Sequence, residues 1–269
     1  MSQQNAMSQQ DAMSQQDAMS QRVAIVTGAA GGIGAAVARS LARAGHRVVA
    51  SDRRAEPLQA VTNAIGALPV TADLAYAADC RRLVDATLDA YGRVDILVNN
   101  AGYQHIAAID EFPEAVWEQM LAVMLTAPFL LTKYVWPSMK AQGWGRIVNM
   151  GSIHSVTASP FKVGYVSAKH GLIGLTRTAA REGGEFGITV NALLPAYTRT
   201  ELVENQIADQ ARTRNLPPDE VIQQVMLARA AVKRLVEPDE VAALVTDLCS
   251  DAAAAVTGAS WSIDLGWTA

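Results

Sequence analysis

Tyr165 and Lys169 stand four residues apart in Gly164-Tyr165-Val166-Ser167-Ala168-Lys169. On a helix that spacing puts both side chains on one face. A phenol with a pKa near ~10 is a poor base at neutral pH. A lysine ammonium beside it favours the phenolate and lowers that pKa. The phenolate can then take a hydroxyl proton as hydride leaves the carbon. Ser152, thirteen residues before Tyr165, can hydrogen-bond the same oxygen and fix its position. Tyr and Lys at this spacing are by themselves an ordinary solvated helix face. The chemistry therefore depends on what surrounds them.

Hydride needs an acceptor, and the chain carries a loop suited to one. Thr27-Gly28-Ala29-Ala30-Gly31-Gly32-Ile33-Gly34 follows the β-branched run Val23-Ala24-Ile25-Val26 and opens a stretch with helical spacing over 33–44. Gly28, Gly32 and Gly34 let the turn tighten and let backbone N–H groups approach a pyrophosphate, while the helix points its positive end at the same phosphate. A glycine-rich turn with no ligand is the plainer reading, but strand before and helix after is the context a dinucleotide loop needs. Asp52 ends the second strand, eighteen residues past Gly34. An acid there accepts from the adenosine ribose hydroxyls and repels a 2′-phosphate, which selects NAD over NADP. Arg53 and Arg54 follow at once and would tolerate a phosphate, and Asp52 could instead cap a turn.

The elements that must position these residues alternate. Strands are predicted at 23–27, 47–51, 68–72, 94–99, 146–150, 188–193 and 260–264. Helices are predicted at 33–44, 76–91, 114–139, 163–183 and 239–250. Strand and helix in turn imply parallel strands with right-handed crossovers. Continuous apolar strands imply a sheet covered on both faces. The expected fold is a single doubly wound α/β domain over 22–269. Residues 199–236 break the rhythm with a polar stretch containing Pro217-Pro218, which reads as a lid.

The 269 residues are half hydrophobic and carry a net charge of −4. No basic patch invites nucleic acid, and the longest apolar runs are interrupted before the ~18 residues that suggest a membrane span. Cys80 and Cys249 make neither a disulfide framework nor a zinc pattern, and no metal site is expected. Residues 1–21 repeat a polar hexad (MSQQNA, MSQQDA, MSQQDA) that cannot offset its ordering entropy and reads as a disordered tail. It lacks the pattern of a secretory or mitochondrial leader, so a cytoplasmic location is expected.

With these motifs in place, the chain resembles the short-chain dehydrogenase/reductases over essentially all of 22–269. The residues that carry the resemblance are Thr27–Gly34, Asp73-Leu74, Asn99-Asn100-Ala101-Gly102, Ser152, Tyr165 with Lys169, and Pro195. The resemblance implies a Rossmann-type domain with a seven-stranded parallel sheet and helices on both faces. It implies catalysis by Ser152, Tyr165 and Lys169, with Lys169 also on the nicotinamide ribose. Asp73 and Leu74 would flank adenine, Asn100, Ala101 and Gly102 would line the cofactor, and Pro195 and Thr198 would contact it. It implies a homotetramer, partly through the helices near 114–139 and 163–183.

A second set of residues resembles the D-3-hydroxybutyrate dehydrogenases of that family: Gly102-Tyr103-Gln104-His105, Ser152-Ile153-His154, Ser159-Pro160-Phe161-Lys162, Glu204-Asn205-Gln206-Ile207 and Gly266-Trp267-Thr268-Ala269. By that resemblance Gln104, His154, Lys162 and Gln206 hold the carboxylate of a small hydroxy or keto acid. Tyr197 and Trp267 would wall off its methyl end. Closure of the lid would bring Gln206 to the substrate. The other readings are an NAD-dependent enzyme for another secondary alcohol and a catalytically weak NAD-binding protein. Three departures from the family pattern bear on this. Met124 stands where an asparagine is usual, Ala196-Tyr197 follow Pro195 where Gly-Trp is usual, and Leu265 replaces a glycine.

Overall fold

Four strands form from runs whose every position is buried: β1 (Val23–Thr27), β4 (Ile96–Asn99), β5 (Gly145–Met150) and β6 (Ile188–Pro195). With β2 (Arg47–Asp52), β3 (Leu68–Thr71) and β7 (Ser260–Ile263) they make a seven-stranded sheet in the order β3-β2-β1-β4-β5-β6-β7. All its strand pairs are parallel. The computed structural model describes residues 21–201, 203, 204, 206, 207, 211 and 217–269. The repeat tail, apart from Gln21, lies outside them.

Neighbouring residues of one strand feed opposite cores, which explains runs rather than alternation. Val26, Ile96, Val98 and Val148 pack under α1 (Gly32–Arg43) and α7 (Pro238–Leu248). Ile25, Leu97 and Ile147 pack under α3 (Ala77–Tyr91), α5 (Ala127–Gln142) and α6 (Val163–Gly183). Each fully buried aliphatic side chain contributes roughly 1.5–3 kcal/mol, so a polar substitution at Leu97 or Val98 loses that and adds the desolvation of a buried polar group.

Two elements differ from the sequence reading. α2 (Ala55–Ile65) was not expected. It buries only Leu58 and Thr62, so its apolar stripe is too thin to read, and Pro57 in its first turn mimics a loop signal. The predicted helix 114–139 runs to Gln142. It comprises α4 (Glu114–Leu121), a π-turn (Ala122–Thr126) and α5. Contrary to the count of apolar runs, Glu114–Gln142 is long and apolar enough to cross a membrane, with a third of its most apolar stretch buried in the protein. Leu131, Val135 and Met139 seat α5 in the core.

Strand order reverses between β1 and β4, and a crevice opens outside their C-terminal ends, the usual ligand position of doubly wound sheets. Past β6 the chain leaves and returns through one neck. Thr198 bridges Val236, Arg199 N–H donates to Val236 O at 2.8 Å, and Val236 N–H donates to Tyr197 O at 3.0 Å. An Arg199–Glu237 ion pair at 3.0 Å flanks it. The excursion between is less polar in effect than in composition. Val203, Val221, Met226 and Leu227 gather with Ile153 and Trp267 into a small core of their own.

Candidate active site

Ser152 follows β5 in extended conformation and caps the short turn Ile153–Ser155, its Oγ accepting from His154 N–H at 3.2 Å. α6 starts at Val163, so Tyr165 and Lys169 occupy its first two turns. Lys169 is buried, and its Nζ donates to Met150 O at 2.6 Å and lies 5.6 Å from the Tyr165 ring centre. Burial depresses the Lys169 pKa to about 8. Burial also raises the Tyr165 phenol above its ordinary value, while a hydrogen bond with Ser152 pulls it back. The sequence expectation that Lys169 lowers the phenol pKa is therefore incomplete. In this pocket desolvation leads, and Ser152 supplies the opposing bond.

The glycine loop forms one wall of a cavity of about 470 Å³. Gly28 and Gly32 adopt φ +65° and +53°, and no side chain caps the N-terminus of α1 behind Gly31. Its first N–H groups are thus available to an anion. Thr27 and Gly34 do not line the cavity but shape it. Thr27 Oγ accepts from Asn100 and Ala101 N–H at 2.9 and 3.1 Å, tying the loop after β1 to the loop after β4. A Cβ on Gly34 would fall 2.1 Å from Gly28 O, so α1 sits on its strand only because none is there. Ile33, Asp73, Leu74, Gly102, Pro195 and Thr198 all line the cavity. Asp52 does too, its carboxylate accepting from Ala30 N–H at 3.2 Å and Arg54 N–H at 3.0 Å.

At the other end Gln104, His154, Lys162, Tyr197 and Gln206 line the same cavity. Gln104 Oε1, His154 Nδ1 and Gln206 Oε1 are buried with no protein partner. Trp267 departs from the sequence reading. It does not line the cavity but backs His154, ring centres 6.3 Å apart, with the Arg229 guanidinium 4.3 Å above it. Met124 is buried, and a Cβ on Gly102 would lie 3.2 Å from its sulfur and 3.8 Å from Lys169 Nζ. Leu265 takes a left-handed conformation, φ +56°, that glycine adopts freely, at a cost of about 1–2 kcal/mol. Its carbonyl accepts from Ala231 and Val232 N–H and so anchors the end of the excursion. Ala196 keeps a negative φ. The sequence reading gave no role to Tyr103, Thr200 or Glu201, which also line the cavity. For Tyr103 a signal existed, since it directly follows the loop at the C-terminal end of β4.

Burial, then Lys162 and His170, lower the His154 pKa to about 4. Between pH 6.5 and about 4 the unfolded chain binds a proton there that the folded chain refuses, so stability falls as pH drops through that window. The expected loss is about 3 kcal/mol. Urea midpoints at pH 7 and 4.5 check it. His154→Gln should flatten the slope by that amount, and an unchanged slope would refute the assignment.

The family model for short chain dehydrogenases matches residues 22–211. The D-beta-hydroxybutyrate dehydrogenase of Rhizobium meliloti (strain 1021) is 42% identical, covering 91% of this chain and 98% of that one. The chain belongs to the short-chain dehydrogenases. An uncharacterized oxidoreductase of Bacillus subtilis (strain 168), YxjF, is 45% identical over 91% of this chain and 97% of its own. An actinorhodin polyketide ketoreductase variant solved with NADPH superposes with a TM-score of 0.87 at 33% identity, covering 92% of this chain and 98% of that one. A short-chain dehydrogenase is an oxidoreductase with a nicotinamide cofactor. The glycine cradle and the uncapped end of α1 fit that cofactor's pyrophosphate.

Proposed function

We propose that this short-chain dehydrogenase oxidises a small 3-hydroxy acid with NAD, D-3-hydroxybutyrate to acetoacetate first among candidates. The observation that carries the reading is the set of three buried polar atoms without protein partners, on Gln104, His154 and Gln206, residues that line one cavity with Lys162. A buried polar atom left unpaired costs about 1–3 kcal/mol; a carboxylate, an acceptor only, relieves His154 Nδ1 as an N–H and each glutamine once its amide turns over to present NH₂ in place of the orphaned Oε1. His154 is neutral at pH 7 and donates from one ring nitrogen; the glutamines donate their amide NH₂; Lys162 supplies the countercharge. NAD rather than NADP is favoured by Asp52 at the end of β2, where a 2′-phosphate would meet its charge. The bound nicotinamide supplies the hydride acceptor. Tyr165 takes the hydroxyl proton, Ser152 holds the same oxygen, and Lys169 holds the ribose and favours the phenolate.

The excursion between Thr198 and Val236 acts as the lid, and it carries Gln206 to the substrate. A cytoplasmic homotetramer completes the reading, and Phe129 on α5 and Trp261 on β7 are exposed apolar residues that assembly would cover.

NAD- and NADP-linked oxidation across short D- and L-hydroxy acids and neutral alcohols tests this. Lys162→Ala should raise KM for the acid at least tenfold, since a charged hydrogen bond is worth about 1.5–3 kcal/mol, with KM for NAD within twofold. Turnover of neutral alcohols alone, or an unaltered KM for the acid in the variant, would overturn the substrate assignment.

A further inference from the structure

A line of hydrogen bonds crosses the core beneath the site. Asn99 and Asn149 are register partners on β4 and β5. Asn99 Nδ2 donates to Asn149 Oδ1 at 2.8 Å, Asn149 Nδ2 donates to Thr176 Oγ1 at 2.9 Å, and the Thr176 hydroxyl donates to Leu172 O at 2.8 Å. All three side chains are buried. The direction is fixed: a hydroxyl that gives its proton to a carbonyl can only accept from Asn149, which sets that amide and then the next.

We infer that Thr176 and Asn149 are positioning residues, which set the height of α6 against the sheet and so the placement of Tyr165 and Lys169. The inference rests on the catalytic assignment proposed above. The three elements that the line joins each deliver part of the site. β4 leads into Asn100–Gly102; β5 ends at Met150, whose carbonyl holds Lys169; α6 bears the phenol. Thr176 lies seven residues, about two turns, beyond Lys169, on the same stripe of the helix.

Packing alone leaves that height poorly determined. Of the nine buried residues of α6, Gly164, Ala168, Ala179, Ala180 and Gly183 carry at most a methyl group. A smooth face offers few knobs to resist sliding, whereas a hydrogen bond weakens steeply as its geometry is displaced. Polar groups in an apolar interface add little net stability over apolar groups of equal shape. Their use here is register. A shift approaching 1 Å at reacting atoms costs on the order of 10² in rate.

Thr176→Val keeps the shape and deletes the hydroxyl, and Thr176→Ser keeps the hydroxyl. On an acid that the parent oxidises, Thr176→Val should lower kcat at least tenfold, with KM for the nicotinamide cofactor within twofold. Thr176→Ser should stay within twofold of the parent. The triple variant Asn99→Leu/Asn149→Leu/Thr176→Val removes every side chain of the line, so that no buried amide is left unpaired, and guards against a folding defect in the single one. If it folds with the parental Tm and loses kcat tenfold, the inference stands. Parental kcat in either folded valine variant overturns it, as does failure of both to fold, which would make the line a folding device. Tyr165→Phe in the same series separates the two readings, because undiminished turnover there removes the catalytic assignment itself.

Discussion

Tyr165→Phe is expected to lower kcat for alcohol oxidation by about 10³-fold, within the 10²–10⁴ range of a lost general base, while the Kd for the nicotinamide cofactor stays within twofold. Phenylalanine keeps the ring in the first turn of α6 and removes only the oxygen that Ser152 holds. Burial keeps the parent phenol above its ordinary pKa, with the Ser152 bond opposing. The base form is therefore scarce at neutral pH, and kcat for oxidation should climb with pH. Reduction needs the protonated phenol and should fall over the same range. The variant should lose both slopes. Stopped-flow absorbance at 340 nm with cofactor titration by fluorescence reads each quantity, and a variant that kept the alkaline rise would place the base elsewhere.

Gly34→Ala is expected to damage fold and cofactor binding together. The added methyl carbon would lie 2.1 Å from Gly28 O and 2.6 Å from Asn100 Nδ2. Neither neighbour is the end of a flexible chain. Gly28 O is backbone, and Asn100 Nδ2 is already donating to Thr27 O at 2.9 Å. Overpacking costs of about 1–3 kcal/mol apply where side chains can shift; here α1 must leave β1, so the upper end or beyond is expected. Cofactor affinity should drop at least tenfold as the phosphate cradle opens. Gly174→Ala is the control, because its Cβ meets nothing within 4 Å on the exposed side of α6. It should gain roughly 0.5–1 kcal/mol from helix propensity. Thermal melts and cofactor titrations of the pair decide the matter, and a parental Tm for Gly34→Ala would sink the packing argument.

The motifs on strand ends and helix starts were legible because each combines a local backbone need with a chemical one. Gly28 and Gly32 need positive φ, and Tyr165 and Lys169 need one helical face. α2 was not legible, since Leu58 alone is a weak stripe. Trp267 was misplaced because its partners, His154 and Arg229, come from distant segments that no spacing joins. The Asn99–Asn149–Thr176 line was hidden for the same reason. Asparagine in a strand and threonine in a helix look like weak propensity choices until register brings them together. Leu265 was readable as a departure, but that it adopts a positive φ required the backbone itself.

The neck at Thr198 and Val236 makes the excursion interchangeable. A cassette spliced between those two positions enters and leaves through the same bridge, so its length is nearly free, each doubling costing only ~0.6 kcal/mol of closure entropy. Acceptor range can then diverge, in a laboratory library or a lineage, while the sheet and α6, which hold dinucleotide and phenol, are inherited unaltered.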